Sequence, residues 1–414
     1  MTINYHLEEN KMKKSAISLL LAVAMVFSLV LAAMPAAQAA EHTDHCVCGG
    51  KWTGKAEYHT CQTLTEWKPL DTATLAMSTV LASGNYYLTE DVQLIDDITC
   101  EEGAVVTICL NGKKLMGSML DSGTRVLTQD KPSTVSICDC SEKETGKITS
   151  NMTEGTGGVL YQNSADTVTN IYGGTIYGAS ITTAGGAFRQ NNKKGGVLNM
   201  YGGRVTGGHS DTNGGNLAIY TYFNMYGGIV DGGTANVKGG NLYVGGKFED
   251  SATCLYGGAI YNGKGQYDED IWVYKFVKDN DRGKLVIVNT EMSLGIYAEE
   301  NTSILDTANM DSSLTLEAKT GVLQPNYLLT KTGGTFVPPS DEPVEEPTEE
   351  PTEEPTEEPT EEPTEEATQK PTTGNTDNAE DEAPMNPVVW IVIAVAVVAV
   401  VAVVVVVVLK KKKA

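Results

Sequence analysis

The chain repeats one phrase four times: NIYGGTIYG (residues 170–178), NMYGGRVTG (199–207), NMYGGIVDG (224–232) and CLYGGAIYN (254–262). The tyrosines of the phrase are Tyr172, Tyr201, Tyr226 and Tyr256, so successive copies lie 29, 25 and 30 residues apart. A period of this length is typical of repeat proteins, in which each unit buries its apolar face only against its neighbours. We therefore expect stacking of these copies to decide the fold.

Apolar residues recur at fixed positions in every copy. One column precedes the tyrosine, a second follows it, and a third lies between the copies: Ile171, Met200, Met225, Leu255; Ile176, Val205, Val230, Ile260; and Leu160, Phe188, Leu217, Leu242. Glycine pairs separate these short runs and mark tight bends, and no run holds the 3.6-residue period of a helix. The pattern predicts an all-β parallel β-helix, with two or three short strands and about 28 residues per turn.

The repeat also resembles the right-handed parallel β-helix repeats of surface proteins from Gram-positive-type bacteria, with their recurring GG-T-I-x-G phrase. The resemblance covers roughly Gly84 to Gln324. It implies a right-handed solenoid. It implies almost nothing about activity, because one fold hosts many functions.

Residues 1–40 have the features of a secretory signal peptide. Lys13 and Lys14 precede an apolar run at residues 16–33, and Ala37-Gln38-Ala39 forms a small-residue cleavage motif. A transmembrane anchor is the alternative interpretation. We expect the protein to be exported and the mature chain to begin at about residue 41.

Residues 41–70 form a Cys/His-rich module. Three thiolates and an imidazole make a plausible tetrahedral zinc set, with His42 and His45 beside them; the predicted ligands are Cys46, Cys48, His59 and Cys61. Such a zinc would be structural, since all four positions are supplied. Disulfides are the alternative, because exported proteins meet oxidising compartments, and free thiols are the third possibility.

The solenoid is expected from residue 71 to residue 336. VTICLNG (residues 106–112) aligns with a second run that begins at Thr134, which places Cys109 and Cys138 in one outward-facing column, within reach of a disulfide. The inward residues of this strand should be Val106, Ile108 and Leu110. Strand-like runs without the glycine phrase follow residue 270, as expected of the atypical terminal repeats that cap a solenoid.

Residues 337–386 change composition abruptly. The phrase EEPT occurs five times from Glu345, and proline at every fourth position together with repelling glutamates predicts an extended, disordered stalk. Residues 387–409 are apolar and long enough for one transmembrane helix, and the lysines of residues 410–414 predict a cytoplasmic tail. Residues 371–374 resemble a sortase sorting signal, so sortase anchoring is an alternative.

The sequence offers little evidence for catalysis. The acidic residues of the regular turns do not recur in one column with a basic partner, so we expect no enzyme; a polysaccharide lyase or glycoside hydrolase is the alternative. The triplet Asp268-Glu269-Asp270 is expected to be a solvated loop. A net charge of -23 and a pI of about 4.6 argue against nucleic acid as a partner.

The tyrosine column is the best candidate for ligand binding. Each tyrosine follows an inward residue, so the rings should project outward and stack along the solenoid. Such rings could hold a glycan or peptide, or they could simply stabilise the coil as an aromatic ladder. The expected function is adhesion or glycan binding by a single-pass, membrane-anchored protein with an extracellular solenoid; a purely structural surface protein is a further alternative.

Overall fold

The computed structural model describes residues 42–52, 54–119, 123–191, 196–246, 251–274, 284–291, 294–299, 305–319 and 326–333. The predicted signal peptide, stalk, transmembrane helix and cytoplasmic tail lie outside these ranges. Within them, no helix is long and apolar enough to cross a bilayer.

The described chain is an all-β solenoid of stacked parallel strands, which confirms this part of the predicted fold class. Three sheets run along it. The strands of the first sheet are Trp67–Leu70, Gly84–Leu88, Ala104–Cys109, Ser133–Cys138, Thr167–Ile171, Gly196–Met200, Tyr222–Met225, Thr253–Leu255, Leu285–Ile287 and Leu305–Asp306. Those of the second are Leu127–Gln129, Leu160–Gln162, Phe188–Gln190, Leu217–Ile219, Leu242–Val244, Ile271–Val273, Leu294–Ala298, Asn326–Lys331 and Leu314–Ala318.

The third sheet and three small sheets complete the strands. The third sheet contains Val92–Gln93, Lys114–Met116, Lys147–Thr149, Thr175–Tyr177, Arg204–Thr206, Ile229–Asp231 and Ala259–Tyr261. The small sheets contain Ser180–Ile181, His209–Ser210 and Thr234–Ala235; Val80–Leu81 and Thr99–Cys100; and His45–Cys46 and Thr63–Leu64. Among the described residues, Thr72–Met77 forms a short helix with Asp71 as its N-cap, and the Asp71 carboxylate accepts the Thr74 backbone N–H in a capping box.

Strand register follows the repeated phrase. Asn170 pairs with Asn199, Asn199 with Asn224, and Asn224 with Cys254, so each copy of the phrase occupies the same place in successive turns. The glycine pair turns the chain where a side chain cannot fit. Gly228 has φ +82°, and a Cβ there would lie 2.7 Å from the carbonyl oxygen of Gly202.

The core is the stack of inward apolar columns. All twelve residues of the three predicted columns have at most 1% of their surface exposed. Val106, Ile108 and Leu110 are likewise buried, as expected. Burial of each such side chain stabilises the fold by about 1.5–3 kcal/mol relative to exposure, so the solenoid is held by many equal contributions along its axis.

A buried polar column corrects one expectation. Asn216 donates through its side-chain amide to Asn241, which donates in turn to the carboxylate of Asp270. Asp270 and Glu269 are 8% and 1% exposed, so the expectation that the acidic triplet is a solvated loop was wrong for these two residues. The strand register stacks Asp270 next to Asn241 in the following turn. There its carboxylate accepts hydrogen bonds from the backbone N–H groups of Gly263 and Gly295.

The C-terminal turns change strand direction. Asn326–Lys331 pairs antiparallel with both Leu294–Ala298 and Leu314–Ala318, and so it ends the parallel order of the second sheet. Leu329 is fully buried in the core. An antiparallel hairpin of this kind covers the last parallel strand, which would otherwise be an open edge.

Candidate functional site

The four repeated tyrosines form a continuous stack on the outside of the first sheet. Ring centroids of Tyr172 and Tyr201 lie 4.6 Å apart, those of Tyr201 and Tyr226 5.0 Å, and those of Tyr226 and Tyr256 5.1 Å, with interplanar angles of 4°, 17° and 7°. We call these four rings the tyrosine ladder. The spacing matches the distance between neighbouring strands, so the backbone register itself sets the stack.

Residues 42–52 and 54–61, which we call the N-terminal segment, contact this ladder through Trp52, Tyr58 and His59. Tyr58 contacts the rings of Tyr226 and Tyr256, at 4.7 and 5.2 Å between centroids. Trp52 lies 5.8 Å from Tyr201 and packs edge to face against it. The ladder is thus partly covered by the protein itself, and burial raises the pKa of Tyr201. Ligand binding by the ladder stays a prediction.

His59 also belongs to this contact. Its ring lies 4.9 Å from Tyr172 and 5.4 Å from Tyr201, and burial lowers its pKa. Its Nε2 atom is buried and has no hydrogen-bond partner among the described residues. The neutral imidazole therefore acts here as an aromatic ring between two tyrosines.

Three of the predicted metal ligands lie together. Cys46 and Cys61 are joined in a disulfide, and the Cys48 sulfur lies 3.2 Å from Cys46 Sγ and 3.6 Å from Cys61 Sγ. These three sulfurs form a group that could hold a metal ion once reduced, and His59 is not part of that group. A disulfide and a metal site compete for the same thiols, as the sequence already implied.

A second Cys/His group combines the N-terminal segment with the solenoid. Its members are His42, His45, Cys109 and Cys140, and their potential ligand atoms all lie within 4.8 Å of one another. We call this set the two-His, two-Cys cluster. His42 Nε2 lies 3.0 Å from His45 Nε2 and 3.8 Å from Cys140 Sγ.

Sequence reasoning placed only part of this cluster. Cys109 and Cys138 are paired in register, as predicted, and both are free thiols buried outside the main core. Hydrogen bonding with Cys138, together with burial, raises the pKa of the Cys109 thiol. Cys140 was not singled out. The run CDC (residues 138–140) could have indicated it. Alternate residues of a strand face the same side, so Cys140 is expected on the same side as Cys138, which pairs with Cys109.

A further aromatic surface lies on the outside of the second sheet, and sequence reasoning missed it. Trp272 stacks on Tyr297 at 3.9 Å between centroids, and Tyr267 stacks on both rings at 5.8 and 5.4 Å. Lys238 Nζ lies 5.0 Å from the centre of the Trp272 ring, and it forms a 2.7 Å ion pair with Glu299. We call these five residues the second aromatic surface.

The position of this surface follows from alternation along one strand. Ile271 and Val273 point into the core and are fully buried, so Trp272 between them lies on the outer side of the sheet, where neighbouring side chains leave it 4% exposed. The register pairs Trp272 with Tyr243 on one side and Tyr297 on the other. The alternation in the run IWVY (residues 271–274) indicates a strand with Trp272 on its outer side. The run lacks the repeated phrase, so the sequence does not predict which residues of neighbouring strands pair with it.

An acidic cleft of about 510 Å³ opens near the start of the solenoid. Asp96, Asp97 and Asp130 line it together with Arg125. Asp97 accepts a 2.5 Å hydrogen bond from Thr128 and lies 3.7 Å from the Arg125 guanidinium. This cleft brings carboxylates and one basic group together before the regular turns begin.

Comparison with family models, curated proteins and solved structures finds no match to this chain.

Proposed function

We propose that this protein is a non-catalytic surface protein that binds an extracellular glycan through the second aromatic surface. The supporting observation is the pair of partly exposed rings of Tyr267 and Tyr297, which stack on the buried Trp272 beside an ion-paired lysine and glutamate. Sugar rings present C–H groups to flat aromatic faces and hydroxyls to neighbouring charged groups. Tyrosine is enriched at binding interfaces because it combines a large apolar ring with a polar group.

The polar groups of this surface are held in place. Glu299 accepts a 2.8 Å hydrogen bond from the Trp272 indole N–H and also pairs with Lys238. Both charged side chains are 21% exposed, so they are partly desolvated and still reachable from solvent. Groups that are already ordered lose less entropy when a ligand binds.

The rest of the chain supports display outside the cell. A signal peptide, an acidic stalk and one transmembrane helix, as expected from sequence, would place a right-handed solenoid at the end of an extended tether. Repeat solenoids offer long, regular outer faces to partners. Adhesion is the role that such a displayed binding face serves best.

Structural zinc belongs to the proposal as well. Cys/His groups in the N-terminal region could hold a metal ion. Sets of thiolate and imidazole ligands favour zinc among the common divalent metals. The ion would stabilise the fold rather than take part in chemistry.

A glycan-array screen of the full chain tests the binding proposal. Tyr297→Ala and Tyr267→Ala should each weaken binding to any glycan that scores, by roughly 5- to 10-fold if each ring contributes about 1 kcal/mol or slightly more. Tyr177→Ala is the matched control, because Tyr177 is an exposed tyrosine on the third sheet. Equal binding by all three variants would contradict the proposal, and loss with Tyr201→Ala alone would return the site to the tyrosine ladder.

The acidic cleft favours one alternative, a polysaccharide lyase or glycoside hydrolase. Asp96, Asp97 and Asp130 supply carboxylates in one concave site, which such enzymes require. Arg125 is engaged, since it donates two hydrogen bonds to the Thr156 carbonyl at 3.0 and 2.8 Å. Release of shortened or unsaturated sugars from acidic polysaccharides, abolished by Asp130→Asn, would establish this activity.

A further inference from the structure

We propose that His42, His45, Cys109 and Cys140 bind one zinc ion, and that this ion clasps the N-terminal segment to the solenoid. The two histidines come from the segment, whereas Cys109 ends one strand of the first sheet and Cys140 follows the next. His42 and Cys140 are 98 residues apart in the chain. This assignment is independent of glycan binding and of the sequence-predicted ligand set.

The distances within the cluster are close to those of a tetrahedral zinc site. With Zn–N of about 2.0–2.1 Å and Zn–S of about 2.3 Å, neighbouring nitrogens lie about 3.3 Å apart and a nitrogen–sulfur pair about 3.5 Å apart. The observed values are 3.0 Å for His42 Nε2 to His45 Nε2 and 3.8 Å for His42 Nε2 to Cys140 Sγ. Shifts of a few tenths of an ångström in these ligand atoms would bring both distances to the values of a tetrahedral zinc site.

The tautomer of His45 suits metal binding. Its Nδ1 lies 2.8 Å from the carbonyl oxygen of Cys46, and a carbonyl can only accept, so Nδ1 carries the proton. In the neutral imidazole Nε2 then keeps its lone pair and points at His42 Nε2. Ligand histidines in metal sites commonly donate their other N–H to a backbone carbonyl in this way.

Both imidazole rings are held by aromatic neighbours. His42 stacks on Tyr87 at 4.4 Å and 11°, and His45 stacks on Trp67 at 4.6 Å and 24°. The Trp67 indole N–H donates to the Leu64 carbonyl at 3.1 Å, which holds the tryptophan in place. Ligands whose rotamers are already restricted by packing are suited to a precise metal site.

The loop that carries Cys140 is also anchored. Asp139 is 4% exposed and accepts hydrogen bonds from the backbone N–H groups of Gly112 and Gly146, at 2.8 and 2.6 Å. The adjacent Cys140 thiol is therefore presented from a rigid turn. Two thiolates, two neutral imidazoles and one divalent ion sum to zero charge, which suits a cluster that includes a fully buried Cys109.

Metal analysis of the full chain, purified without chelator or reductant, tests the clasp. Wild-type protein should carry about one zinc per chain, and Cys140→Ser and His42→Gln should each reduce this to less than about a tenth. Cys254→Ser is the matched control and should keep the ion, since this cysteine belongs to neither metal-binding group, and Cys48→Ser, which changes only the three-sulfur group, distinguishes the two groups and should also keep it. Circular dichroism verifies that every variant retains its β-sheet signal.

Cobalt substitution gives a second measurement that does not depend on variant folding. Cobalt in the wild-type site should show the visible bands of a tetrahedral ion and thiolate charge-transfer absorption. The proposal is overturned if zinc survives in both Cys140→Ser and His42→Gln. It is also overturned if zinc is lost with Cys48→Ser alone. A third contradicting result is wild-type protein that, as purified without chelator, contains no metal and shows a Cys109–Cys138 disulfide on peptide mapping.

Discussion

Alternate residues of each strand in the first sheet meet opposite environments. Leu198 and Met200 are fully buried in the core of the solenoid. Val197 and Asn199, which alternate with them, lie on the outer face. The outer asparagines form their own ladder, in which Asn199 donates to Asn170 at 2.9 Å and Asn224 donates to Asn199 at 3.0 Å. One-residue shifts in register would exchange the two faces completely.

A charge at an inward position should therefore be far more costly than the same charge at its outward neighbour. We expect Met200→Asp to lower the free energy of unfolding by several kcal/mol, because it buries an unpaired carboxylate. Val197→Asp, on the same strand but on the outer face, should cost less than about 1 kcal/mol. Urea unfolding of both variants measures the difference, and equal losses would show that the assigned faces are wrong.

Two buried acids should give the fold an unusual pH dependence. Burial raises the pKa of Glu269 and of Asp270 above the ordinary carboxyl range. Because the folded state then holds protons more tightly than the unfolded state, these groups add stability below their ordinary pKa, and the gain is lost as the pH rises through the raised values.

The check is urea unfolding of wild-type protein and a Glu269→Gln, Asp270→Asn double variant between pH 4 and pH 8. The contribution of the two acids at each pH is the difference in the free energy of unfolding between the wild type and the double variant. We expect the wild type to gain stability relative to the variant as the pH falls. A constant difference across this range would contradict the raised pKa values.

At the scale of elements, the N-terminal segment and the tyrosine ladder form one packed unit. Trp52, Tyr58 and His59 cover the ladder from outside, and Lys51 adds a 2.9 Å ion pair to Glu144. That ion pair is exposed, so it contributes little. Aromatic contacts of Trp52, Tyr58 and His59 therefore hold the segment against the ladder.

Removing one ring contact should loosen the segment without unfolding the solenoid. We expect Tyr58→Ala to raise the rate of tryptic cleavage after Lys55 by roughly 5- to 10-fold, if the lost aromatic contacts are worth about 1 kcal/mol or slightly more. Lys55 is exposed and lies within the segment. Tyr177→Ala serves as control, because its ring lies on the third sheet, and equal cleavage of the two variants would show that the ladder does not hold the segment.

For the whole molecule, regular stacking distributes stability along the axis. Neighbouring turns supply most contacts of any one turn, so local damage need not unfold the full solenoid. The antiparallel strands Leu314–Ala318 and Asn326–Lys331 cover the last parallel strand of the second sheet. This short antiparallel strand pair replaces a parallel strand at the edge, and short edge strands limit strand-by-strand association between molecules.

The membrane topology expected from sequence can be tested on intact cells. Added protease should cut the Glu/Pro/Thr stalk and release the solenoid, because extended linkers are cleaved before packed strands. An epitope placed after Ala414 should stay cell-bound and hidden from antibody, since the lysine tail is expected in the cytoplasm. Antibody access to that epitope on intact cells would reverse the orientation.

Periodicity was enough to predict the stacking of the chain. The inward columns, the outward tyrosines and the pairing of Cys109 with Cys138 all follow from a short alternation repeated at nearly constant spacing. Such features depend on each turn meeting a copy of itself, so local pattern and period contain the needed information.

Tertiary structure alone decided which distant residues share a site. Glu269 and Asp270 look like a solvated pair in sequence, yet the register sets Asp270 at the end of a buried asparagine column. His42 reaches Cys140 only because the segment folds back over the first sheet. The segment has no periodic counterpart, so its position depends on long-range packing against a surface that exists only after the turns have stacked.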